Sequence, residues 1–109
     1  MAGGRLALAR EPRLTSMPLL PGHRVLRVHL RNDGDEPVVL RRIALRLLDA
    51  AGTDLEPVVR PTVLRLEPGE TGALDLAYRT RGDAGPPAWL EHRGDAVDLS
   101  GGATSGPRA

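Results

Sequence analysis

A chain of 109 residues holds one small core and no second one; with 13 Gly, 10 Pro and no Phe, that core is aliphatic and built from strands and turns rather than helices. The absence of Cys excludes a disulfide scaffold, a thiol nucleophile and a thiolate-held metal, and no apolar run approaches the ~20 residues of a membrane-spanning helix. The net charge of +1 hides a polar chain: residues 1–48 carry nine Arg against four acids, residues 49–109 six Arg against ten acids, and Lys is absent.

Residues 1–4 read as a flexible leader, because Gly-rich sequence buries too little to offset its ordering entropy. No apolar h-region follows Met1, which points to a cytoplasmic location. Arg5 to Arg10 alternates weakly and fits a first edge strand. Pro12, Pro18 and Pro21 then break the pattern, so 11–22 reads as a loop or irregular edge. From Arg24 to Arg31, Leu26, Val28 and Leu30 share one face and Arg27, His29 and Arg31 the other. Period two with one apolar face predicts a half-buried antiparallel strand.

Asn32-Asp33-Gly34-Asp35-Glu36-Pro37 has the composition of a tight turn. Val38 to Leu48 follows as a second long strand. Ile43, Leu45 and Leu47 share one parity and Val38 and Leu40 the other, which predicts a bulge near Arg41-Arg42. Asp49 to Gly52 reads as a turn, Thr53 to Arg60 as an irregular strand interrupted by Pro57, and Thr62 to Leu66 as a short strand. Leu66 to Glu70 places Pro68 and Gly69 as in a type II turn. Leu74, Leu76 and Tyr78 then alternate inward along 71–79. After a Gly/Pro loop at 81–87, Ala88–His92 and Ala96–Leu99 form a closing hairpin around Arg93-Gly94-Asp95, and 100–109 reads as a disordered tail. The expected fold is all-β: residues 5–99 form a single antiparallel immunoglobulin-like β-sandwich of seven or eight short strands. Its core contains Leu26, Val28, Leu30, Ile43, Leu45, Leu74, Leu76 and Tyr78, with the lone Trp also inside.

Three segments resemble a group of bacterial immunoglobulin-like accessory domains. Asn32 to Pro37 is similar to their V-x-N-x-G-D-E-P-V segment, Leu47 to Gly52 to L-x-D-A-D-G, and Leu66 to Thr71 to L-x-P-G-E-T. The resemblance covers about residues 22–99. It implies a non-catalytic domain on the envelope side of the membrane, without a known ligand. The chain departs from the group in lacking an export signal and a Phe after Pro68-Gly69-Glu70.

No catalytic set can be assembled. His23 and His29 lie about 20 Å apart along an extended chain and cannot share a metal; His92 reads as a solvent-facing strand residue. Ser16, Ser100 and Ser105 sit in a loop and the tail. The acids of 32–37 supply too few oxygens for calcium, and Arg-Gly-Asp at 81–83 and 93–95 reads as turn chemistry. Neither a metal nor a cofactor is called for. The feature that remains is basic. If strands 24–31 and 38–48 are neighbours, Arg27, His29, Arg31, Arg42 and Arg46 form one face suited to an acidic protein surface or a second copy of the chain. A net charge of +1 and the scarcity of aromatics for base stacking argue against nucleic acid. The expected function is a non-enzymatic binding or accessory module. The alternatives are a structural subunit self-associating through complementary charged faces and, third, a small-ligand or metal carrier.

Overall fold

The alternation at 24–31 becomes the longest strand and the centre of the larger sheet. The computed structural model describes residues 5–17, 19–80 and 82–99; the leader and the tail fall outside them. In chain order the strands are β1 (Leu6–Leu8), β2 (Arg13–Ser16), β3 (His23–Asn32), β4 (Val38–Arg41), β5 (Leu45–Asp49), β6 (Val58–Arg60), β7 (Val63–Leu66), β8 (Thr71–Arg79), β9 (Pro87–His92) and β10 (Asp95–Asp98). A single 3-10 turn, Arg42–Ala44, separates β4 from β5.

All pairings are antiparallel. One sheet runs β1-β3-β8-β6, with β2 also on β3; the second runs β10-β9-β5, and β4 and β7 form a ribbon. β1 and β2 share one edge of β3, at Leu30–Asn32 and Arg24–Arg27 respectively. The segment expected to be irregular at 11–22 therefore contains a true edge strand, set off from β1 by the break at Pro12. The inward faces of both sheets and the ribbon share one aliphatic core, including Val28, Leu30, Leu40, Leu47, Leu76 and Leu90. These ten strands among the described residues form a β-sandwich, more finely divided than the seven or eight expected.

The stretch 38–48 is not one bulged strand. The break falls where a bulge is expected, but the 3-10 turn takes the chain out of the ribbon with β7 and into the sheet with β9. Ile43 sits in that turn and is 85% exposed, whereas the other core residues named from the alternation are buried. Trp89, expected inside, is 37% exposed on β9, and His92, expected to face solvent, is buried. Parity explains both. His92 shares the inward face of β9 with Leu90, and Trp89 shares the opposite face with Glu91.

The Asn32–Pro37 segment does not close a hairpin between neighbours; it carries the chain from the large sheet into the ribbon. Asn32 is fully buried and organises this end. Its Oδ1 accepts from the Arg5 and Gly34 N–H groups at 3.2 and 2.9 Å, and its Nδ2 donates to the Glu36 and Leu66 carbonyls at 2.7 and 3.1 Å. All four bonding positions of the side-chain amide are used. The turn at Pro68-Gly69 has Gly69 at φ 83°, with the Glu70 N–H donating to the Glu67 carbonyl at 2.9 Å, as a type II turn requires. The closing hairpin turns on Arg93 and Gly94, at φ 53° and 90°; positive φ at both central residues fits a type I′ turn.

Candidate functional site

The large sheet turns one face to the core and the other to solvent. On β3 the outward residues are His23, Val25, Arg27, His29 and Arg31. Register then dictates what lies beside them. Arg27 is opposite Arg13 of β2 on one side and Asp75 of β8 on the other, and Asp75 is opposite Arg60 of β6. One row of the outer face therefore reads Arg13, Arg27, Asp75, Arg60. A neighbouring row reads Thr15, Val25, Ala77, Val58. Toward the ends lie Arg31 and, opposite His23, Arg79. Ala73 and Ala77 flank Asp75 on β8, so small side chains stand on both sides of the Arg27–Asp75 pair.

Few of these charges are neutralised. Arg27 donates from Nε and Nη2 to the two carboxylate oxygens of Asp75 at 2.8 and 3.0 Å. That guanidinium holds the Asp75 carboxyl below the ordinary carboxylate range. Arg31 is bound to Asp33, which is lowered for the same reason. Among the described residues no ion pair engages Arg13, Arg60 or Arg79. His29 is half-buried and its Nδ1 lacks a hydrogen-bond partner among the described residues. Desolvation, then the charges of Arg10, Arg27 and Arg13, push its pKa down, so it is neutral at pH 7 and adds no charge.

The structure thus regroups the residues expected to act together. Arg27, His29 and Arg31 share a face, but Arg42 and Arg46 do not join it, because β3 pairs with β1, β2 and β8 and never with β4 or β5. Arg42 lies in the 3-10 turn. Arg46 is on β5 in the other sheet, bound to Glu91 at 3.2 Å and Asp54 at 3.6 Å. Their places are taken by Arg13, Arg60 and Arg79. Sequence alone offered little sign of Arg13 and Arg60, since Arg13 lies in a Pro-flanked segment and Arg60 in a three-residue strand before Pro61, whereas Arg79 has outward parity along 71–79.

The remaining candidates go to separate places. His23 and His29 lie six residues apart on β3, and His92 lies in the other sheet. Among the described residues no cluster of three or more His, Asp or Glu is placed to hold a metal ion. Arg93-Gly94-Asp95 is the β9–β10 turn; Arg81 of the other Arg-Gly-Asp lies outside the described residues. No helix among the described residues is long and apolar enough to cross a membrane. Comparison with protein-family models, with curated proteins and with solved structures finds no match for this chain.

Proposed function

We propose that this domain is a non-enzymatic docking module whose outer β2-β3-β8-β6 face meets an acidic protein surface. The observation that carries the reading is the row Arg13, Arg27, Asp75, Arg60, in which three guanidiniums share one carboxylate. Like charges directly opposite on adjacent strands destabilise a sheet, so the fold gains nothing from Arg13 beside Arg27. A partner carboxylate would turn that repulsion into attraction, and would steer encounter from a distance. The order β1-β3-β8-β6 against β10-β9-β5 corresponds to the ABED and CFG sheets of a constant-type immunoglobulin sandwich, which supports an immunoglobulin-like accessory domain.

The test uses a short poly-glutamate peptide as an acidic probe, titrated into labelled protein at low and physiological salt. Amide shifts should concentrate on β2, β3, β6 and β8, and affinity should fall as salt rises. Arg13→Glu with Arg60→Glu should abolish binding and leave the fold intact. Shifts unaffected by the double variant would reduce the face to a solvated surface.

Self-association is favoured by one further observation. On the outer face of the other sheet, exposed Trp89 lies opposite Asp98 of β10 and shares its face of β9 with Glu91, which Arg46 already binds, so the anchor is the aromatic ring. Size-exclusion chromatography separates the two readings: self-assembly yields oligomers that dissociate with salt, whereas docking to another protein leaves a monomer throughout.

A further inference from the structure

The β4 side of the ribbon is an open strand edge. The Arg42 N–H donates to the Thr62 carbonyl at 2.9 Å, which fixes the phase of the ladder that continues through Leu40↔Leu64 and Val38↔Leu66. In an antiparallel pair the bonded positions alternate. The N–H and C=O groups of Val39 and Arg41 therefore point away from β7. Among the described residues β4 pairs with nothing else. The reason lies in the other sheet: β9 accompanies β5 only as far as Leu45↔His92 and then turns back at Arg93-Gly94, so no strand runs beside β4.

That open edge borders a cleft of about 470 Å³. Val38, Val39 and Arg41 line it from β4, His92 and Arg93 from the end of β9, and Leu6 from β1. Its charge is unbalanced. Asp95 is the one carboxylate in the lining, against the guanidiniums of Arg41 and Arg93. Neither arginine has an ion-pair partner among the described residues. His92 is 7% exposed there, its Nε2 has no hydrogen-bond partner among the described residues, and burial pushes its pKa down toward the neutral ring, so it adds no charge to the cleft.

We infer that the β4 edge is a binding site for an extended acidic peptide segment of a partner protein, which adds to the ribbon as a further strand. The outward N–H and C=O groups of Val39 and Arg41 would each bond to the peptide backbone. Four residues of β4 span about 13 Å, so the segment occupied is short. Backbone bonding supplies affinity and carries little sequence information; a Glu or Asp side chain beside Arg41 and Arg93 supplies the selection. The site is separate from the basic sheet face and does not depend on it. The acidic side chain is what distinguishes this binding from nonspecific edge pairing, which charge at a strand edge normally suppresses.

The experiment uses a capped peptide of about eight residues alternating Val and Glu, the same peptide with Arg for Glu, and the Val/Glu peptide N-methylated at alternate amides. The Val/Glu peptide should bind with a dissociation constant below about 1 mM and shift the amides of Val39 and Arg41. The Arg peptide and the methylated peptide should each bind at least about tenfold more weakly. Val39→Pro removes an outward N–H that the β4–β7 ladder does not use, so the fold should persist and binding should be lost. Arg41→Glu with Arg93→Glu should reverse the preference toward the Arg peptide. Failure of the Val/Glu peptide to bind at about 1 mM, equal binding of the methylated peptide, or full binding by Val39→Pro would each overturn the inference. Shifts confined to β2, β3, β6 and β8 would also overturn it, placing the peptide on the basic face instead.

Discussion

Arg13 and Arg27 stand directly opposite each other across β2 and β3, and the only carboxylate in their row, Asp75, is bound to Arg27. The proposed docking role and stability make opposite demands on Arg13. Arg13→Thr removes a repulsion and places a β-branched residue on an edge strand. We expect a melting temperature equal to or above that of the wild type, together with weaker poly-glutamate binding. A variant that melts lower would show that Arg13 contributes to the fold.

The Asn32 amide should be among the most costly polar side chains to remove. Asn32→Ala strands two backbone N–H groups and two carbonyls where the β3–β4 and β7–β8 connections meet. The expected loss is about 2–4 kcal/mol by urea unfolding, because a buried group left without its partner bears its desolvation penalty. A loss within about 0.5 kcal/mol would mean that water replaces the amide freely.

Leu76 is fully buried between Leu26 of β3 and Val59 of β6 in the register of the large sheet. Leu76→Ala removes transfer energy and leaves a cavity, with an expected cost of about 2–5 kcal/mol. Denaturant unfolding measures it directly. A loss below about 0.5 kcal/mol would indicate a register shifted by one residue.

Stability should fall with acid in two windows. Desolvation lowers the pKa values of His29 and His92 in the folded state, so the unfolded chain takes up protons first. Stability is complete above the unfolded histidine value of about 6.5 and declines as pH falls through the lower folded values. Asp49 is buried, and its carboxyl accepts from the N–H groups of Gly85, Thr53 and Ala51 at 2.9, 2.8 and 3.0 Å. The Gly85 bond leads in lowering its pKa. Its contribution is present above the ordinary carboxylate value of 3.8 and is lost as pH falls through the depressed one. His92→Leu should reduce the fall in the first window, leaving the share of His29, and Asp49→Asn that in the second, leaving the shares of Asp33 and Asp75, as read from melting temperature against pH. Unchanged profiles in both variants would count against these assignments.

Strand character, the turns and most of the inward face are legible in local sequence. Period two needs only local information: Leu26, Val28 and Leu30 on one side of a pleat, and Leu74, Leu76 and Tyr78 on one side of another, are inward wherever those strands lie. The turns at Pro68-Gly69 and Arg93-Gly94 are equally local, since both place Gly where φ is positive. Which strands become neighbours is set by long-range packing. Alternation says which face a residue occupies and nothing about what stands beside it, so Arg42 and Arg46 could be grouped with Arg27 and Arg31 on parity alone. A three-residue 3-10 turn, which exposes Ile43 and resets the parity, sends β4 and β5 to different partners. Pairings 48 residues apart in sequence then set Asp75 beside Arg27, and the basic face belongs to whichever strands the shared core brings together.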